Sequence, residues 1–190
     1  MREHADALRA VGAEPVPVRL PRDLQDIDAL ILPGGESTTM RKLIDLYDLR
    51  APILALARAG APVLGTCAGM ILLAERIDDG EEPVFSLLDA TVRRNGYGRQ
   101  LDSFEADVEI PSLGDEPLHG IFIRAPLVCQ LGAGVEVLAR DDAGRPVAVR
   151  QGRVLATAFH PELTADRRVH RLLVDMISGG EARSPAVGAP

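Results

Sequence analysis

The stretch Pro62-Val63-Leu64-Gly65-Thr66-Cys67-Ala68-Gly69-Met70 constrains the fold of this chain more than any other. A short apolar run ends in Gly-x-Cys-x-Gly, and the apolar residues Met70, Ile71, Leu72 and Leu73 follow at once. The pattern predicts a strand, a sharp turn and a helix, with the cysteine in strained backbone at the turn and small residues on both sides. Such a turn holds the side chain clear of the backbone, and the helix N-terminus beneath it favours a thiolate over a thiol. The Gly-x-Ser-x-Gly elbow of hydrolases follows the same logic, here with sulfur as the nucleophile. A buried structural cysteine beside a glycine-rich turn is the competing reading.

The surrounding chain supports an α/β organisation. Residues 2–11 read as a helix, with Ala5, Leu8 and Val11 recurring along it. Val16 to Leu20 and Ala29 to Leu32 read as short strands, the second ending in Pro33-Gly34-Gly35. Ser37 is a candidate N-cap for a helix whose apolar face carries Met40, Leu43, Ile44 and Tyr47. A further helical run, 52–58, precedes the Val63-Leu64 strand. This alternation implies a parallel sheet with covering helices. The second half is richer in strand signals, at 104–110, 135–138 and 147–149, and Val154 to Phe159 has the continuous apolar character of a buried strand. A last helix is expected near 166–177. One domain is expected over 1–178, with 179–190 a tail that has no packing pattern and is expected to be disordered.

A cysteine nucleophile needs a base and a group that orients the base. His160 ends the buried strand in Ala158-Phe159-His160-Pro161-Glu162. In extended chain, positions i and i+2 point to one side, so Glu162 can accept the second imidazole N–H and fix its tautomer. His4 and His170 fall in helices rich in charged and polar residues and read as solvated. His119 reads as a turn residue, and Cys129, between apolar neighbours, as core packing. In Leu32-Pro33-Gly34-Gly35-Glu36-Ser37-Thr38-Thr39, glycines let the backbone approach a ligand at a helix start. A phosphate there would meet the Glu36 carboxylate, and no lysine follows. An oxyanion hole built from the N–H groups of Gly35 and Ala68 fits better.

Composition excludes several other classes. A net charge of −7 without a Lys/Arg-rich block argues against nucleic-acid binding as the main business. No apolar run approaches the ~20 residues of a membrane span, and residues 1–6 lack the apolar core of a secretory signal. Two distant cysteines offer neither a metal spacing nor a disulfide framework, so neither metal nor cofactor is expected and a cytoplasmic setting is.

With these blocks together, the chain resembles the triad (class I) glutamine amidotransferases, and more narrowly the glutaminase subunits of pyridoxal 5′-phosphate synthase. The resemblance rests on Gly34-Gly35-Glu36-Ser37-Thr38-Thr39, Gly65-Thr66-Cys67-Ala68-Gly69, Asn95-Gly96-Tyr97-Gly98-Arg99-Gln100, Phe122-Ile123-Arg124-Ala125-Pro126 and His160-Pro161-Glu162. It implies a three-layer, flavodoxin- or Rossmann-like α/β fold with a mainly parallel central sheet. It also implies hydrolysis of L-glutamine to L-glutamate and ammonia, with Cys67 attacking the amide, His160 protonating the ammonia and Glu162 orienting His160. Carried onto matching positions, Gly35, Glu36, Ser37, Arg94, Ile123 and Arg124 would contact the glutamine. Arg94 suits the α-carboxylate and Glu36 the α-ammonium, although Arg93 and Arg99 are equally available from sequence.

The implied partner is a TIM-barrel synthase subunit in a hetero-oligomer, which receives the ammonia and without which hydrolysis is nearly silent. The family opens with a strand of the type Val-Leu-Ala-Leu-Gln-Gly directly before the helix that begins here at Arg2. These 190 residues lack that usual first strand, which leaves two explanations: a start placed too far downstream, or a protein without the segment. The alternatives are a glutaminase subunit serving another synthase, such as that of imidazole glycerol phosphate, and an inactive subunit that only docks.

Overall fold

The computed structural model describes residues 1–98 and 103–179. Arg99 and Gln100 of the Asn-Gly-Tyr-Gly-Arg-Gln run, and residues 180–190 of the tail, lie outside the described residues. Five α-helices are described: α1 (Arg2–Ala10), α2 (Ser37–Leu46), α3 (Arg50–Arg58), α4 (Ala68–Leu73) and α5 (Arg168–Ser178). The strands are β1 (Leu30–Leu32), β2 (Val63–Thr66), β3 (Ala74–Ile77), β4 (Leu88–Arg93), β5 (Ser103–Val108), β6 (Leu118–Ile123), β7 (Leu127–Leu131), β8 (Glu136–Arg140), β9 (Pro146–Gln151) and β10 (Val154–Thr157).

Five strands form the main sheet in the order β1-β2-β10-β9-β8. The first three are mutually parallel, with Leu32 opposite Gly65 and Thr157 opposite Thr66. β9 and β8 continue the sheet antiparallel. The parallel register matters most, because the chain leaves β1, β2 and β10 at the same end and three loops meet there. Active sites of open α/β sheets gather at such strand ends. β2 and β10 are buried at every position, which is why they read as unbroken apolar runs.

Two smaller units complete the fold. A three-stranded sheet runs β3-β4-β7, and β5 and β6 pair as an antiparallel ribbon. Phe122 of β6 stacks on Phe104 at 4.4 Å between ring centroids and meets Phe159 of the β10 loop at 5.7 Å. These aromatic contacts bring the end of β6 down onto the main sheet, and the Ile121 carbonyl accepts from the His160 N–H at 2.8 Å.

Several sequence expectations are corrected. Val16 to Leu20 forms no strand. Pro15 and Pro17 remove two of the N–H donors that a ladder would need, and β1 stands at the edge of the sheet with no described strand beyond it. Glu36, not Ser37, caps α2, and on that helix Ile44 is buried while Leu43 and Tyr47 are exposed. His119 lies within β6 rather than in a turn, exposed and 2.7 Å from Glu105 Oε2. Cys129 is exposed on β7, because the two-residue alternation of a strand sends it away from its buried neighbour Val128.

Candidate active site

Cys67 sits between β2 and α4 with a φ of 49° and a ψ of −106°. A non-glycine residue in this region costs on the order of 1–3 kcal/mol. The surroundings hold it there: its N–H donates to the Thr157 carbonyl at 2.8 Å, and the first turn of α4 lies tight against β1. A Cβ on Gly69 would stand 2.0 Å from the Leu32 carbonyl oxygen, and one on Gly65 would stand 2.6 Å from the Gly69 backbone. The strain therefore resides on the cysteine, and the flanking glycines serve close approach. The thiol is nearly buried, with Sγ 3.6 Å from the Ile123 carbonyl oxygen.

His160 and Glu162 follow β10, whose ladder ends at Thr157, so the extended i, i+2 geometry expected from sequence does not apply. Instead His160 precedes a 3-10 turn over Pro161–Leu163, and the turn returns Glu162 to it. His160 Nδ1 lies 2.8 Å from Glu162 Oε1, with both residues buried. Burial, the largest influence on His160, disfavours the imidazolium. Hydrogen bonds to Cys67 and Glu162, and attraction to both, outweigh it and push the pKa up to about 9. Burial also acts on Glu162, raising its pKa, but hydrogen bonds from His160 and His4 hold its carboxyl far below the usual carboxylate range.

The loop after β1 completes this corner, since Gly34 abuts the His160 ring. Gly35 follows with a φ of 146°, a backbone conformation suited to glycine. Glu36 turns its carboxylate onto its own helix: Oε1 accepts from Thr38 N at 2.9 Å, and Oε2 from Thr39 N and Oγ1 at 2.6 Å each. These bonds, led by that from the Thr39 hydroxyl, lower its pKa to about 2. A carboxylate offers about four acceptor positions, so one further donor fits. Ser37 is buried at the start of α2.

Arg94 comes close to this loop, its Nη1 lying 3.3 Å from Thr38 Oγ1. Asp79 and Glu81 hold it at 2.5 and 3.1 Å. Arg93, equally eligible from sequence, pairs instead with Asp78 at 2.6 Å. Ile123 and Arg124 lie where β6 ends beside Cys67, and Arg124 takes a positive φ of 45°. Cys67, His160, Glu162, Gly34 and Ile123 thus meet in one place.

Sequence reasoning missed two neighbours and misread their setting. His4 and His170 are buried, not solvated, and His4 Nε2 lies 3.4 Å from Glu162 Oε1. His4 shares the buried face of α1 with Ala7 and Val11, and His170 shares that of α5 with Leu173. That spacing of three and four was the available signal. Among the described residues no group of three or more His, Cys, Asp or Glu could hold a metal ion, and no helix is long and apolar enough to cross a membrane.

A buried sulfur at a strained strand-to-helix turn, facing an imidazole that a carboxylate orients, is the arrangement of α/β proteins that work through a nucleophilic thiolate. Comparison with known proteins narrows that class. The chain belongs to the SNO glutamine amidotransferase family, whose sequence model matches residues 1–179. It is 54% identical over 186 residues to the pyridoxal 5′-phosphate synthase subunit PdxT of Frankia alni, covering 96% of this chain and 93% of that protein. The PdxT subunit of Desulforudis audaxviator is also 54% identical, over 92% of both chains. A crystal structure described as a glutamine amidotransferase superposes with a TM-score of 0.87 at 47% identity, covering 93% of each chain.

Proposed function

We propose that this chain hydrolyses L-glutamine to L-glutamate and ammonia, and delivers the ammonia to a synthase subunit that builds pyridoxal 5′-phosphate. The observation that carries this reading is the Cys67, His160 and Glu162 constellation in a chain about half identical to PdxT subunits along nearly its whole length.

Cys67 attacks the side-chain amide carbon as a thiolate, paired with the imidazolium of His160. The N–H groups of Gly35 and Ala68 receive the oxyanion of the tetrahedral intermediate. His160 gives its proton to the departing nitrogen, which leaves as ammonia, and a glutamyl thioester remains. Water, deprotonated by His160, attacks the thioester and releases glutamate. Glu162 holds the imidazole in the tautomer that faces sulfur. Arg94 takes the α-carboxylate, Glu36 with its remaining acceptor position takes the α-ammonium, and Ser37 and the Ile123-Arg124 peptide line the substrate. The partner is a TIM-barrel subunit in a hetero-oligomer, and the pair works in the cytoplasm.

Glutamate release from glutamine, by this chain alone and mixed with the synthase subunit, tests the reading. Release that rises strongly with the partner and vanishes in Cys67→Ala is expected. No release under either condition, from a folded chain that binds the partner, overturns it.

A further inference from the structure

Behind the triad lies a buried polar cluster to which the proposed chemistry gives no role. His4 Nδ1 stands 3.0 Å from His170 Nε2, and His4 Nε2 stands 3.2 Å from Thr66 Oγ1 and 3.4 Å from Glu162 Oε1. His170 is fully buried and His4 is 5% exposed. A run of side chains therefore crosses the molecule from α5 through α1 to the nucleophile: His170, His4, Glu162, His160, Cys67. We propose that His4 is a positioning residue of the triad, its imidazole N–H clamping the carboxylate oxygen of Glu162 that receives His160. The proposal rests on the glutaminase reading for its kinetic consequence.

The hydrogen-bond count of Glu162 motivates this assignment. Its Oε1 takes His160 at 2.8 Å, while its buried Oε2 has no partner among the described residues. A buried carboxylate held by one donor can rotate, and it bears a large desolvation cost. His4 brings Nε2 to within 3.4 Å of the same oxygen and 3.2 Å of Thr66 Oγ1, so its single N–H would be shared between the two and the carboxylate would be held between two imidazoles. The protons then follow one order. With the His4 proton on Nε2, shared by Thr66 and Glu162, its Nδ1 accepts from the Nε2–H of His170, and Nδ1 of His170 is bare. That last atom is buried without a partner among the described residues, as an unprotonated nitrogen facing no donor would be. Burial, reinforced by the nearness of His4, lowers the pKa of His170 to about 4, consistent with a neutral ring.

The titratable and charged groups that act on Glu162 come from three elements. They are His4 and Glu3 on α1, His160 in the turn after β10, and His170 on α5, while Cys67 acts on His160 and Arg167 on His170. Of these, His160 is hydrogen-bonded to the carboxylate at 2.8 Å and His4 approaches the same oxygen at 3.4 Å. Loss of the His4 donor raises the Glu162 pKa, and protonation of Glu162 removes the charge that supports the thiolate–imidazolium pair. The acid limb of thiolate reactivity must then move to higher pH.

The test uses the full chain carrying Cys129→Ser, which removes the exposed thiol. Alkylation of Cys67 by iodoacetamide is followed across pH, and kcat and KM for glutamine are measured with the synthase subunit. His4→Met removes the donor at similar length, and His4→Gln retains an N–H at the end of the side chain. In His4→Met we expect kcat to fall roughly 10- to 100-fold with little change in KM. The acid limb of alkylation moves up by about one pH unit, and His4→Gln restores most of both. A folded His4→Met chain with parental kcat and an unmoved limb overturns the proposal, as does a His4→Gln chain as impaired as His4→Met. If His4→Met does not fold, His170→Leu withdraws the outer support and must shift the same limb, and no shift overturns the proposal. Alkylation needs no glutamine, so a parent that fails to hydrolyse it refutes the glutaminase reading while the pH profile still decides the role of His4.

Discussion

The backbone of Gly34 lies against the imidazole of His160 so closely that a Cβ there would stand 2.3 Å from Cε1 and 2.9 Å from Nδ1. The glycine therefore fixes how far the ring reaches toward Cys67. Gly34→Ala must displace either the loop after β1 or the histidine, and a misplacement near 1 Å costs about 100-fold in rate. We expect kcat to fall by at least that factor while the chain stays folded, as glutamate release and circular dichroism together will show. Activity within threefold of the parent would mean that the ring position is set elsewhere.

Glu162→Gln replaces the acceptor of His160 Nδ1 with an amide of the same shape. The expected loss is roughly 10³- to 10⁴-fold in kcat, the scale seen when a triad carboxylate becomes an amide and the wrong tautomer prevails. The pH profile should also change. His160 is raised to about 9 partly by Glu162, so removing that charge lowers its pKa and brings the basic limb of kcat/KM for glutamine, where the imidazolium protonates the departing nitrogen, to lower pH. A basic limb that stays near 9 would assign the shift to Cys67 alone.

Arg94 tests the substrate rather than the chemistry. It already faces Asp79 and Glu81, so a glutamine α-carboxylate competes with two resident carboxylates for one guanidinium. Arg94→Ala should raise KM about 10-fold or more with kcat within about threefold, the signature of lost uniform binding. A fall in kcat with KM unchanged would place Arg94 in the chemistry instead.

The meeting of Cys67, His160 and Glu162 was legible because each part is local in sequence. Gly-x-Cys-x-Gly carries its own turn, and His160 and Glu162 stand two residues apart, so their meeting survives a change from extended chain to 3-10 turn. The parallel pairing of β1 and β2 followed from the alternation of helix and strand patterns in the first half, whereas for β10 only a buried strand was legible. The place of His4 beside Glu162 was illegible for the opposite reason. Its partners, Thr66, Glu162 and His170, are separated from it by 62 to 166 positions, and the charged neighbours of α1 mask the buried face it shares with Ala7. Glu36 was half legible: its place at a helix start was clear, but its use as the cap was not. Cys129 and Val16 misled through apolar surroundings, because neither strand alternation nor the presence of a pairing partner is set by neighbours in sequence.

His170 links the same buried cluster to acid stability. Its pKa is about 4 in the folded chain, lowered from 6.5 by burial and then by its proximity to His4. A depressed pKa means that the unfolded chain binds the proton first as pH falls. The stability that the neutral ring permits is thus complete above about 6.5, is lost progressively as pH falls toward 4, and declines no further from this group below that. At 1.36 kcal/mol for each pH unit between the two values, the contribution is on the order of 3 kcal/mol. Urea unfolding at pH 7 and pH 4.5 measures it. The parent should lose stability between the two, and His170→Leu, which carries no proton in either state, should lose less by up to about 3 kcal/mol, even if it is the weaker protein at pH 7. Equal losses in both chains would show that His170 is protonated in the fold at pH 4.5, and that the bare Nδ1 has found a partner.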